Sequence, residues 1–372
     1  MIKISIIFGT RPEAIKMCRL IKAFEKVENV SLNVCFTGQH KEMVLPLLDF
    51  FEIKVDHSLD IMKPNQTLAG LSGTSIQELD KYFELVKPDV VFVQGDTTTA
   101  MCAATAAFYR KIKVAHVEAG LRTFNMFSPF PEEFNRQVIS KITDYHFAPT
   151  ASSEKNLLDE NISPDKIFVT GNTVIDALLF TKNKVDATGI STNKEYPWSG
   201  NGNKLVLITG HRRENFGSGF ENICYAIKEL ASRYTDTNFV YPVHLNPNVQ
   251  EPVNRILEGL NNVYLIAPLD YIQFTSLMAQ AHFILTDSGG VQEEAPTFGK
   301  PVLVMRDTTE REEAVQAGAA RLVGTDKDVI VKNAIELMEN VELFKSMATV
   351  KNPFGDGKAA ERIVENTLKH FN

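Results

Sequence analysis

Ile2-Lys3-Ile4-Ser5-Ile6-Ile7-Phe8-Gly9-Thr10-Arg11-Pro12-Glu13 runs a near-continuous apolar strand into a glycine turn and then into a helix that carries Lys16. A strand this apolar on both faces suits a parallel sheet covered by helices. Glycine permits the tight turn, proline fits the first helical turn, and the unpaired N–H groups at the helix start attract anions. The same stretch also reads as a plain capped turn with Arg11 in solvent. It contains neither Gly-x-Gly-x-x-Gly nor a Gly-Lys-Ser/Thr ending, which excludes a nicotinamide fingerprint and an ATPase loop. The strand-then-helix rhythm recurs at 31–37, 90–94, 114–118 and 145–148, and restarts at 205–209, 239–243, 263–266, 283–286, 301–305 and 320–322. Between the two series lies 188–204, rich in Gly, Asn, Ser and Pro, where apolar periodicity disappears and a linker is expected. The fold class is therefore α/β, with two Rossmann-like domains. Ligands of such sheets sit beyond the carboxyl ends of the strands, so the strand-to-helix loops are expected to line a central cleft.

Composition narrows the function. The 372 residues are 44% hydrophobic and 23% charged, with a net charge of -7. That balance argues against sequence-independent binding to nucleic acid, which needs a surplus of Lys and Arg. Any anionic ligand must be met locally. Cys18, Cys35, Cys102 and Cys224 are scattered without a Cys-x-x-Cys pair and read as reduced thiols of a cytoplasmic protein. The first residues lack the features of a secretory leader, and no apolar run reaches membrane-spanning length, so no membrane partner is expected. No spacing of His, Cys or carboxylates matches a metal constellation, and no serine sits in a nucleophile elbow.

The strand ends carry the chemistry. After 90–94 comes Gly95-Asp96-Thr97-Thr98-Thr99, and after 114–117 comes Glu118-Ala119-Gly120-Leu121-Arg122-Thr123. Glu132-Glu133 follows Ser128-Pro129-Phe130-Pro131 at the start of an expected helix. Each acid alone reads equally as a helix cap. Three sets delivered to one sheet edge read as proton-transfer groups, because clustered carboxylates raise one another's pKa. The second series supplies cations: Gly210-His211-Arg212-Arg213-Glu214-Asn215 gathers donors of the kind a diphosphate needs, with a solvated loop paired to Glu214 as the alternative. Asp287-Ser288-Gly289-Gly290 opens another helix, with Glu294 one turn inside it, and Arg306-Asp307-Thr308-Thr309-Glu310-Arg311 closes the series. Gln39-His40 and His244 also stand at strand ends, where a lone histidine is usually structural.

Taken together, Gly9 to Ala14, Gln94 to Thr97, His116 to Thr123, Pro129 to Asn135, Gly210 to Asn215, Thr286 to Gly290 and Arg306 to Arg311 resemble the non-hydrolysing UDP-N-acetylglucosamine 2-epimerases over essentially the whole chain. The resemblance implies a glycosyltransferase-B-type pair of domains, 1–170 and 171–355, with the last helix, 356–372, crossing back to the first. It implies interconversion of UDP-N-acetylglucosamine and UDP-N-acetylmannosamine without metal or redox cofactor, by a homodimer feeding bacterial surface polysaccharide such as capsule. Position by position, it marks Asp96, Glu118, Glu132 and His211 as catalytic. Arg11, Lys16, Arg212, Phe274, Ser288, Gly289, Gly290, Glu294 and Arg311 match ligand-binding positions. Gln39, Arg212 and His244 match part of a second site at which substrate acts as activator. The chain departs from the family pattern at Leu269, Glu42, Asn65 and Glu312. A hydrolysing epimerase and a transferase of the same fold are the rival readings.

Overall fold

A computed structural model describes residues 1–39, 41–63, 66–189, 196–200 and 202–371; His40, Asn65 and part of the expected 188–204 linker lie outside the described residues. The chain divides into two compact units, Met1–Ala177 with Phe354–Asn372, and Leu178–Pro353. Both are α/β units built on parallel sheets, as the strand rhythm predicts.

The first unit begins with β1 (Ile2–Phe8), α1 (Arg11–Phe24), β2 (Val30–Phe36), α2 (Lys41–Phe51), β3 (His57–Ser58) and α3 (Leu68–Val86). It continues through β4 (Val90–Gln94), α4 (Thr98–Tyr109), β5 (Lys113–Val117), α5 (Glu132–Ile142), β6 (Tyr145–Ala148), α6 (Ala151–Asp159) and β7 (Ile167–Val169), and the boundary at Ala177 falls within α7 (Thr173–Thr188). Among the described residues its sheet has the order β3-β2-β1-β4-β5-β6-β7, every pairing parallel. The edge strands β3 and β7 are absent from the sequence reading, because two or three residues leave no periodicity to detect. The central strands are buried on both faces, which is why they read as unbroken apolar runs. Helix α4 buries Ala100, Ala103, Ala104, Ala106 and Ala107, and these short side chains let it lie against both α3 and α5.

The second unit contains β8 (Lys204–Thr209), α8 (Ser218–Arg233), β9 (Thr237–Pro242), α9 (Pro247–Leu257), β10 (Val263–Ile266), α10 (Tyr271–Gln280) and β11 (Phe283–Thr286). Then come α11 (Gly289–Glu294), β12 (Val302–Val304), α12 (Glu312–Gln316), β13 (Ala320–Leu322), α13 (Lys327–Glu339) and α14 (Val341–Ala348). Among the described residues the strand order is β10-β9-β8-β11-β12-β13, again all parallel. Its core joins Phe220, Ile227 and Leu230 of α8 to Phe239 and Tyr241 of β9, Phe283 and Leu285 of β11, and Ile330 and Ala334 of α13.

The last helix, α15 (Ala359–Lys369), lies against α1 of the first unit. Its N-terminus has no capping side chain of its own. The carboxylate of Asp176 accepts from Ala359 N at 3.1 Å and Ala360 N at 2.8 Å instead. Burial pushes Asp176 up to about 6 against those hydrogen bonds.

Candidate functional site

In the first unit the loops after β1, β4 and β5 and the start of α5 hold every sequence-predicted acid. Thr10 and Glu13 form a capping box at α1, as the turn chemistry predicts. Glu13 does more than cap. Wholly buried, it accepts from Gly9 N at 3.1 Å and from Thr10 N and Oγ1 at 2.7 Å each, and its other oxygen accepts from Thr97 Oγ1 at 2.6 Å. Burial raises its pKa against these four donors. The β1 and β4 loops are thereby locked together. Gly9 is required by the same closeness, since a Cβ there would collide with Thr37 Oγ1 and Thr99 Oγ1.

Glu118 follows β5 with a left-handed backbone, φ +64°, an uncommon state for a residue with a side chain. It is 8% exposed, forms an ion pair with Lys16 of α1, and accepts from Gln94 Nε2 at 2.8 Å. Asp96 is held by α5: its carboxylate pairs with Arg136, and its main-chain oxygen accepts from Asn135 Nδ2 at 2.8 Å. Glu132, the first residue of α5, is half-buried, and its side chain has no hydrogen-bond or ion-pair partner among the described residues. Its neighbour Glu133 is fully engaged by Thr123 N at 3.0 Å, Gln137 Nε2 at 2.8 Å and Arg136 at 3.3 Å. Burial opposes ionisation of Glu133, yet those donors and Arg136 hold it below the usual carboxylate range. Arg11 is at the first position of α1, and Gln39 accepts from Thr99 Oγ1 at 3.1 Å. Arg122 is structural, joined to Glu160 at 2.5 Å and 3.0 Å and to Ser140 at 2.8 Å.

In the second unit neighbouring strands β8 and β11 deliver His211-Arg212 and Asp287-Ser288 side by side. Asp287 is fully buried, and its Oδ2 accepts from His211 N and Arg212 N, both at 2.8 Å, and from Asn215 Nδ2 at 3.4 Å. This one oxygen fixes the turn. The His211 ring lies parallel to that of His244, with centroids 5.2 Å apart. Burial lowers the pKa of His211, with Asp287 pulling the other way and His244 and Arg212 adding to the decrease.

The cations are already balanced by acids. Arg212 stands 3.5 Å from Glu310, the buried Arg306 pairs with Glu310 at 2.7 Å and Glu214 at 2.6 Å, and Arg311 pairs with Glu293. Glu214 reaches Arg306 beyond its own loop, while His211 and Arg213 are exposed. Burial opposes the charge on Glu310, but Arg311 and Arg306 hold it at about 2. A Cβ on Gly289 would stand 3.7 Å from Arg212 Nη2 and 3.9 Å from Arg311 Cζ, so the guanidinium groups gather at the Gly289-Gly290 turn. Ser288 N donates to Thr286 Oγ1 at 2.9 Å, and Glu294 closes α11. Phe274 is half-buried on α10, which a Asp270–Gln273 capping box starts.

Three engaged residues escaped the sequence reading. Arg136 carried a local signal, one turn beyond Glu132 on the same helix. Asp287 was visible as a carboxylate at a strand end, the same signal that marks Asp96. For Glu13 the capping position was legible and the bond to Thr97 was not. Among the described residues no three His, Cys, Asp or Glu gather in a way that would hold a metal ion, and no helix is long and apolar enough to cross a membrane.

The family described as UDP-N-acetylglucosamine 2-epimerase matches residues 22–368. The chain is 50% identical to the UDP-N-acetylglucosamine 2-epimerase of Neisseria meningitidis serogroup A, covering 99% of this chain and 100% of that one. It is 51% identical to the enzyme of the same name from Escherichia coli K12, covering 98% and 97%. A crystal structure of the Neisseria meningitidis epimerase bound to UDP-GlcNAc superposes with a TM-score of 0.93 at 50% identity, over 99% of this chain and 100% of that one.

Proposed function

As this chain belongs to the UDP-N-acetylglucosamine 2-epimerase family, we propose that it interconverts UDP-N-acetylglucosamine and UDP-N-acetylmannosamine without net hydrolysis. The full-length match to a relative bound to UDP-GlcNAc carries this reading. The chemistry dictates the division of labour. The hydrogen on C2 has no carbonyl beside it, so a carboxylate alone does not remove it at a useful rate. Breaking the C1–O bond sends its electron pair to the UDP oxygen and gives C1 oxocarbenium character, which acidifies C2. Loss of the C2 proton to a carboxylate then leaves a C1=C2 glycal. Proton return to the other face of C2 and re-addition of UDP to C1 complete the inversion.

In this reading Asp96, Glu118 and Glu132 divide proton removal and return, each step worth about 10²- to 10⁴-fold. Two of them are held by cations, Asp96 by Arg136 and Glu118 by Lys16. His211, Arg212, Arg311 and the Ser288-Gly289-Gly290 turn stabilise departing UDP, with Arg11, Lys16, Phe274 and Glu294 as further binding residues. The reading extends to substrate activation through Gln39, Arg212 and His244, to a homodimer in the cytoplasm, and to supply of N-acetylmannosamine units for surface polysaccharide.

The test is proton NMR of the purified protein with UDP-GlcNAc alone in deuterium oxide. The expected result is the manno isomer, deuterated at C2, at equilibrium without net UDP. Steady UDP release with free N-acetylmannosamine would establish the hydrolysing reaction instead, and unchanged substrate would overturn the reading.

A further inference from the structure

The two carboxylate oxygens of Asp287 differ in their surroundings. Oδ2 is saturated by the His211 and Arg212 amides and Asn215. Oδ1 is equally buried, has no hydrogen-bond partner, and faces His211 Nδ1 at 3.7 Å. An orphaned buried acceptor is costly, and few survive in folded proteins without a use. At 3.7 Å the two atoms attract electrostatically without a hydrogen bond, and a small ring rotation would close the gap. The ring has freedom to make it, since the His211 side chain is 44% exposed, and its stacking on His244 would guide rotation within the ring plane.

We propose that Asp287 is the positioning residue for His211: Oδ1 accepts from Nδ1–H when UDP occupies the site, which holds the ring as an imidazolium and presents Nε2–H to the oxygen that leaves C1. This rests on the assignment of His211 to the leaving phosphate. No proton need move. As the C1–O electron pair passes to the UDP oxygen, a charged imidazole donates through Nε2, and Oδ1 shares the resulting charge through Nδ1–H. The surroundings require such a partner. Arg212 from the same turn and His244 from the turn after β9 both oppose charging of the ring, as does burial; Glu310 partly offsets Arg212 at 3.5 Å, and Asp287 is the acid that favours charging of the ring.

The experiment is ¹⁵N NMR of the imidazole nitrogens in the full-length protein, between about pH 5 and 8, with and without saturating UDP. The His211 signals are assigned by their loss in His211→Gln. In the wild type with UDP, both Nδ1 and Nε2 are expected to carry protons; a neutral ring, whichever nitrogen holds its one proton, overturns the proposal without any variant having to fold. In Asp287→Asn the His211 titration midpoint is expected to fall by roughly one unit or more, with kcat about 10- to 100-fold lower and KM little changed. An unmoved midpoint, or a raised KM at unchanged kcat, would mean that Asp287 only shapes the loop through Oδ2. Because the NMR signature requires no turnover, its presence in a protein that fails to epimerise would count against the functional reading and leave the Asp287–His211 pairing intact.

Discussion

The two units arrange charge in opposite ways. In the first, the groups assigned to chemistry are anions and cations hold them: Asp96 by Arg136 and Glu118 by Lys16. In the second, the assigned groups include cations and anions hold them: Arg212 by Glu310 and Arg311 by Glu293. A carboxylate that accepts a proton must stay in place throughout, so its cation is a permanent fixture. A guanidinium that receives a diphosphate must change partners, so its carboxylate is a placeholder. Disturbing the holders should therefore damage the first unit and loosen the second.

The most severe test removes a held anion. Asp96→Asn should lower C2 deuterium exchange by 10³-fold or more, within the range for loss of a positioned general base; exchange at the normal rate would take Asp96 out of the proton chemistry. Removing a holder comes next. Lys16→Met leaves Glu118 buried beside Gln94 without its cation, and should cost about 3 kcal/mol in urea unfolding. The double variant Lys16→Met/Glu118→Gln should recover most of that loss; equal stability of the single and double variants would show that the pair is not a buried-charge device.

A smaller effect contrasts the units by pH. His116 and His146 are buried on neighbouring strands β5 and β6, and burial pushes them down to about 4 and about 3. The unfolded chain then binds more protons than the folded one below about pH 6.5. The stability that neutral histidines allow is complete above that value and is lost as pH falls toward the folded values. Between pH 7 and 5 the loss should be about 2 kcal/mol per histidine. In the second unit His282 is also lowered to about 4 by burial, but is only partly buried and stacks on Phe344. Hydrogen exchange at pH 5 should thus show the first unit opening before the second, and the reverse order would contradict this account. The mildest test removes a placeholder. Glu310→Gln should tighten UDP binding several-fold by calorimetry, about 1 kcal/mol, whereas weaker binding would make Glu310 an orienting residue.

Legibility in the sequence follows the range of the interactions. Strand ends are local events, so Asp96, Glu118 and His211 could be placed at the carboxyl edges of sheets from apolar runs alone. The partners of those residues could not. Arg136 lies 40 positions from Asp96 and Lys16 lies 102 from Glu118, separations at which sequence pattern carries no distance information. Asp287 looked like one more carboxylate before a helix, because only tertiary packing buries it and leaves Oδ1 unmatched. The resemblance to a family supplied binding positions such as Phe274, which periodicity would have left as an ordinary helical aromatic.

The return of α15 onto α1, with Asp176 capping its first turn, bears on how the protein is made. A ribosome releases the first 177 residues long before the segment that completes their fold, and the entire second unit is translated in between. Until Ala359 and Ala360 emerge, Asp176 lacks its two amide donors and the face of α1 that α15 covers stays wet. The second unit can mature during synthesis, while the first must wait for the segment that follows Pro353. A prematurely terminated chain would therefore present a finished second unit beside an unfinished first one, and the exposed α1 face would mark it for proteolysis.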